Sequence, residues 1–333
     1  MSVHPPEPGS NGVAFTIVVP THGRPAALGR CLRSLTQLEF PHSTYEVIVV
    51  DDGEMLSSGE QDALRSAAGE VSLSIVSQAR CGPATARNAG ARLARGRYLA
   101  FTDDDCAPAR DWLTCLARQL AAHPGALVGG ATLNALPAVA FSTASQLLID
   151  YLYDYYHVEM TGARFFTTNN MAMEADAFRT LGGFDGSFPL AAGEDREFCE
   201  RWQRSGRPLI YAPDAQVAHA HELGLPGFVR QHFNYGRGAD FLHRSRARAA
   251  HHLRRPRLEP LSFYLNLVRY PLGRARLRQA MPLAALMCVS QAAYGVGYAL
   301  QRWRHFWTPP APPTGEPVRP IEGDAIVESS AQK

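Results

Sequence analysis

Three consecutive aspartates, Asp103, Asp104 and Asp105, follow the apolar run Tyr98-Leu99-Ala100-Phe101. Like charges packed at the end of a buried strand repel one another. A hard divalent cation would offset them, because Mg2+ and Mn2+ take oxygen ligands, commonly one or two carboxylates plus substrate phosphates. Such a cation could bridge a diphosphate and neutralise its charge as it leaves. A solvated acidic turn, with Asp105 capping the helix that begins near Pro108, is the simpler alternative. A second acidic pair, Glu194-Asp195, opens the segment "GEDREFCERWQRSG" (193–206). Taken alone, that pair reads as acidic residues favouring the positive end of a helix.

The elements around these residues decide whether they meet. "FTIVVP" (15–20), "YEVIVVDDG" (45–53), "LSIVS" (73–77) and "RYLAFTDDD" are short apolar strands. Between them lie helical patterns. Leu28, Cys31, Leu32, Leu35 and Leu38 recur at helical spacing, a polar helix covers about 58–68, and "GPATARNAGARLARG" predicts a helix from Pro83 to about Ala94. Strand and helix alternation predicts right-handed crossovers and a mainly parallel sheet. Ligands of such sheets sit beyond the carboxyl ends of the strands. Those ends are Pro20-Thr21-His22-Gly23-Arg24, Asp51-Asp52-Gly53 and Asp103-Asp104-Asp105, so three separate segments line one crevice. The second half reads as a helix over 141–156, a strand, polar loop and short helix over 165–188, a helix over 193–206, and short strands "PLIYAP" and "AQVAHAH".

The chain has 333 residues, 46% hydrophobic and 19% charged, with net charge +2. That composition supports one large domain or two smaller ones and argues against nucleic acid as a partner. Six cysteines without C-x-x-C or zinc-type spacing read as reduced thiols of a cytoplasmic protein. Residues 1–13 lack an apolar core and read as a disordered lead-in, and 308–333 as a disordered proline-rich tail. No G-x-G-x-x-G follows the first strand, which argues against a dinucleotide dehydrogenase. A nucleotidyltransferase would want a glycine-rich phosphate loop that "PTHGRP" does not supply. A catalytically silent sugar-nucleotide binder or scaffold is the other alternative.

"TIVVPTHGRP", "VIVVDDG", "GPATARNAG", "YLAFTDDDCAP", "GGFDGSF" and "GEDREFCERWQRSG" occur in the order found in family 2 glycosyltransferases of the GT-A fold, which the chain resembles over about 15–240. The resemblance implies an α/β, Rossmann-like fold with a mainly parallel central sheet flanked by helices. It implies inverting transfer from a nucleotide-diphosphate sugar to an acceptor hydroxyl, with Mn2+ or Mg2+ as cofactor. The implied nucleotide-sugar residues are Pro20, Thr21, Arg24, Asp51, Asp52, Gly53, Arg87, Asp103 and Asp104. Asp105 would be the principal metal ligand, Asp103 would lie near the metal, and His219 would complete the site, since a neutral imidazole serves Mn2+ beside carboxylates. Asp195 would be the base that takes the acceptor proton, with Glu194 orienting it. In "TTNNMAME", Thr167, Thr168 and Glu174 depart from the family's usual form. Asn169 and Asn170 are the acceptor-side candidates there. The expected domain is 14–240, with a nucleotide-binding half over 14–106 and an acceptor-binding half over 107–240.

A helical extension over 241–307 follows. Its first part carries Arg244, Arg246, Arg248, Arg254, Arg255 and Arg257, read as a solvated helix surface, as a site for nucleic acid, or as a site for anionic lipid or a lipid-diphosphate acceptor, the uncharged stretch that follows favouring lipid. Residues 279–301 carry no charge and are flanked by arginines on both sides. That length could span a bilayer, yet Pro282, Ser290, Gln291, Gly295 and Gly297 favour an interfacial helix or one packed on the domain. The implied acceptor is a glycan, a lipid-linked molecule or another hydroxyl compound. The implied setting is bacterial cell-surface polysaccharide or glycolipid synthesis, by a cytoplasmic protein peripheral at the inner face of the plasma membrane.

Overall fold

The computed structural model describes residues 12–158, 165–188, 190–249, 259–274 and 276–307. Strands β1 (Phe15–Thr21), β2 (Tyr45–Asp52), β3 (Ser72–Gln78) and β4 (Tyr98–Phe101) alternate with helices α1 (Pro25–Leu35), α2 (Ser58–Ala68) and α3 (Pro83–Leu93). β1 pairs in parallel with β2 and β4, and β2 with β3. Every residue of β1 and β2 is buried, because both faces are covered. Ile17 and Val19 enter one apolar cluster with Leu28, Leu32 and Trp112. Val18 enters the cluster on the opposite face with Ala91, Phe178 and Phe198, as a period of two requires.

The next elements are β5 (Cys106–Pro108), α4 (Trp112–Ala122), β6 (Leu127–Asn134), α5 (Ala140–Val158), β7 (Met171–Glu174), α6 (Ala175–Thr180), α7 (Glu194–Arg204) and β8 (Leu209–His219). The eight strands form one sheet in the order β3-β2-β1-β4-β7-β6-β8-β5. β7 enters between β4 and β6 and runs against both, and β5 runs against β8. The sheet is therefore mixed, with most of its pairing parallel as expected and β7 and β5 inserted antiparallel. The alternation that predicts parallel pairing ends at β4. The two short strands expected over 208–221 are a single β8, bent by a register shift opposite Gly130 and Ala131.

Helices α8 (Leu225–Ala249), α9 (Leu261–Arg269) and α10 (Leu277–Trp307) complete the described chain. The expected boundary at 240 falls inside α8, which continues without a break. A third apolar cluster joins Leu148 and Tyr151 of α5, Phe228 of α8, Phe263 and Leu267 of α9, and Leu283 and Met287 of α10. Burying each such side chain contributes about 1.5–3 kcal/mol, so the extension is packed onto the domain. Arg244, Arg246 and Arg248 pair with Asp240, Glu200 and Asp185 within the fold. Arg254, Arg255 and Arg257, the first eleven residues and the tail from 308 lie outside the described residues.

Candidate active site

The parallel half brings the strand ends together as the crevice argument requires. Thr21 lies in register with Asp51. Its hydroxyl donates to Asp104 Oδ2 at 2.7 Å, and Pro20 precedes it in the strand. The Arg24 guanidinium closes on the same carboxylate, 2.5 Å from Oδ1, and reaches Asp105 Oδ2 at 2.7 Å. β5 pairs Cys106 with His219, and the Ala220 N–H donates to the Asp105 carbonyl at 2.9 Å. This backbone register sets His219 Nε2 3.2 Å from Asp105 Oδ1.

Asp105, Cys106 and His219 offer ligand atoms within 4.8 Å of one another. Burial pushes the Cys106 thiol well up, so it stays protonated and is a poor ligand. The remaining carboxylate oxygen and imidazole nitrogen suit Mn2+, and the carboxylates suit Mg2+. Burial disfavours the Asp105 charge, but the hydrogen bond and charge of His219, with Arg24, outweigh it and hold its carboxyl well below the usual range. Burial likewise works against the His219 cation, while Asp105 raises its pKa overall. His221, whose ring lies 4.1 Å from that of His219, is pushed down to about 4 by burial and by His219.

Arg87, on α3, is 3% exposed. It donates to Asp103 Oδ1 at 2.7 Å and to Glu194 Oε1 at 3.2 Å. A buried arginine needs such partners, and here they come from the aspartate run and from the first turn of α7. Burial and then the neighbouring Asp195 push Glu194 up to about 7. Burial also raises Asp195, whose Oδ1 accepts the Arg196 N–H at 2.7 Å.

The other candidates make contacts within the fold. Asp52 accepts Gln78 Nε2, the Cys81 N–H and the Gly82 N–H at 2.7–2.9 Å, so it ties the end of β2 to the loop before α3. Asp51 Oδ2 accepts the Leu56 N–H at 2.8 Å, while its buried Oδ1 has no partner among the described residues. Gly53 turns the chain with φ of 118°. Asn170 accepts from Trp112 Nε1 and donates to the carbonyls of Ala131 and Ala215. Both amide hydrogens are spent, and Asn170 holds β6 and β8 to the 168–170 turn. Asn169, also buried, accepts from Thr132 and Thr167.

The family model "Glycosyl transferase family 2" matches residues 16–182, just over half of the chain. The chain belongs to glycosyl transferase family 2. The model "Glycosyl transferase family group 2" matches residues 100–300. Similar relatives of this glycosyltransferase include Glycosyltransferase AglE of Haloferax volcanii, 25% identical over 67% of this chain and 72% of that protein. The Pre-mycofactocin glycosyltransferase of Mycobacterium tuberculosis is 28% identical over 71% of this chain, which spans about half (49%) of that protein. Among solved structures, the mannosyltransferase PcManGT from Pyrobaculum calidifontis in complex with GDP-Man and Mn2+ superposes with a TM-score of 0.56. Its identity is 21%, covering 92% of this chain and 83% of that one. Staphylococcus aureus TarS 1-349 with UDP-GlcNAc has a TM-score of 0.52 and 14% identity, covering 89% and 92%. The fold is GT-A.

Sequence reasoning missed how this glycosyltransferase seats its acidic helix. Gly238 of α8 lies so close to the 192–193 turn that an added Cβ would stand 2.1 Å from the Ala192 carbonyl oxygen. The legible signal was the pair of glycines in "YGRG" within a helical stretch. Tyr235, one turn earlier, accepts from Gln231 at 2.7 Å. Burial and the charges of Asp195 and Glu194 raise its hydroxyl pKa to about 12.

Proposed function

We propose that this glycosyltransferase moves a sugar from a nucleotide-diphosphate sugar to an acceptor hydroxyl with inversion at the anomeric carbon. The observation that carries this reading is the buried Arg87 bridge, which fastens the aspartate run to the acidic turn of α7. The donor's leaving group and the acceptor's proton then meet across one crevice.

Asp105 and His219 would hold Mn2+ or Mg2+, and the bound cation would supply charge neutralisation for the departing diphosphate. Arg24, half-exposed at the rim, is within reach of the same phosphates. Asp195 takes the acceptor proton on Oδ2, because Oδ1 is tied to the Arg196 N–H. The acceptor oxygen bonds to the anomeric carbon as the bond to the diphosphate breaks, and the electron pair leaves with the diphosphate. A raised carboxyl pKa makes a stronger base once ionised, which suits a weakly acidic hydroxyl. Asp103, Asp104, Thr21 and Asp51 form the nucleotide side.

GDP-Man and UDP-GlcNAc in the two structural neighbours support a nucleotide-sugar donor. The acceptor is a glycan, lipid-linked molecule or other hydroxyl compound of bacterial surface polysaccharide or glycolipid synthesis. The enzyme works in the cytoplasm, peripheral at the inner face of the plasma membrane.

A melting-temperature panel of UDP, GDP, dTDP and CMP, with and without Mn2+, tests the reading. One diphosphate should stabilise the wild type only with Mn2+, and Asp105→Ala should abolish the shift. No shift in any combination would reduce the aspartate run to a turn and cap.

A further inference from the structure

The outward face of α10 plays no part in the transfer chemistry. A surface helix normally carries a polar outer face, and α10 does not. Its inner face, including Ala280, Leu283, Met287, Ser290, Gly297 and Gln301, is buried at spacings of three, four and seven. Its outer face presents Leu277, Met281, Val289, Val296, Trp303 and Phe306, each 37–78% exposed. No charged residue lies between Arg278 and Arg302. An open groove of about 650 Å³ continues this face onto α8, between Leu225, Val229 and Phe233 on one side and Val289, Ala292 and Val296 on the other. Arg230 is the one charged side chain lining it. From Pro260 to Trp307 the chain has six arginines and no aspartate or glutamate.

We propose that this face docks on a bilayer leaflet rich in anionic lipid, with α10 lying in the interface. The apolar stripe supplies the buried area, and the flanking arginines, Arg276 and Arg278 among the exposed ones, supply attraction to anionic headgroups. A spanning arrangement conflicts with the inner face. Arg237 donates to Gln301 at 3.0 Å, and His305 pairs with Asp240 at 2.5 Å. At the crossing of α8 and α10, a Cβ on Gly297 would lie 2.0 Å from the Phe233 carbonyl oxygen. Drawing α10 into the hydrocarbon would strip those polar pairs. Arg274 and Arg302 are paired with Asp154 and Asp240, and a second copy of the chain is a poor occupant because it would set the remaining exposed arginines against each other. The proposal deepens the membrane placement given above and is tested apart from the transfer chemistry. It also puts the leaflet one helix away from Asp195, because α8 meets α10 at Gly236 and the 192–193 turn at Gly238.

The test is co-sedimentation of the full chain with phosphatidylcholine vesicles, with and without phosphatidylglycerol. The chain should sediment with the anionic vesicles, with binding that weakens as salt rises, and its tryptophan emission should shift to the blue. Val296→Asp and Met281→Asp, both at exposed positions, should weaken binding by about tenfold or more while melting like the wild type. Arg276→Gln with Arg278→Gln should remove much of the salt dependence. Sedimentation unchanged in these variants, or none with anionic vesicles, would overturn the proposal. Release by detergent alone would point to a spanning helix, and a dimer broken by Val296→Asp to self-association; either result also overturns it. Loss of nucleotide release from the donor, with vesicle binding intact, would count against the transferase chemistry and leave the docking surface standing.

Discussion

Asp195 and Glu194 share the first turn of α7, and under the proposed chemistry their titrations set the pH dependence of transfer. Glu194 is pushed up to about 7 by burial and by Asp195, and burial raises Asp195 as well. A raised carboxyl pKa means that the ionised, proton-accepting form appears only as pH rises. The rate of transfer should therefore climb with pH above the usual carboxylate range, because burial raises Asp195, and a pH–rate profile checks this. Glu194→Gln removes the neighbouring negative charge and should move the rising limb to lower pH; an unmoved limb would contradict the coupling. Asp195→Asn should lower turnover by roughly 10²–10⁴-fold while keeping the melting shift given by donor and Mn2+. Loss of both together would mean that Asp195 serves donor binding or folding. Asp195 and Asp105 were legible as residues because the six motifs occur in order. The role of Asn170 was not legible, since two carbonyls and an indole distant in sequence satisfy it.

At the scale of elements, α8 and the 192–193 turn are fitted through a missing side chain. Gly238→Ala would place a methyl group 2.1 Å from the Ala192 carbonyl oxygen. Overpacking of this kind costs about 1–3 kcal/mol, and here it displaces the turn that starts α7. The variant should melt lower and lose turnover with little change in donor affinity. Calorimetry with steady-state kinetics checks both, and wild-type turnover would refute the fit. Strands β1 to β4 were readable from apolar runs alternating with helices. β5 and β6 were not: three residues are too few to display a period, and Gly129-Gly130 interrupts the second pattern.

For the whole molecule, the catalytic domain and the helical extension are one packed body. α8 crosses the boundary expected at 240, and α5, α8, α9 and α10 share one apolar cluster. The full chain should accordingly unfold in a single calorimetric transition, and a chain ended before Leu277 should melt lower because Leu283 and Met287 leave that cluster. Two separate transitions in the full chain would mean that the extension is an independent unit.

The amino-acid sequence by itself determined the βα alternation, the strand ends that carry Thr21, Asp51 and Asp103–Asp105, and the order of motifs that marks the family. Those are local patterns, written in periodicity and in short runs. The tertiary structure alone decided the mixed sheet, the pairing of Cys106 with His219 that brings His219 to Asp105, and the Arg87 bridge between residues 103 and 194. It also decided which face of α10 is buried. Each of these depends on contacts between segments far apart in the chain, and side-chain periodicity within one segment carries no record of its partner.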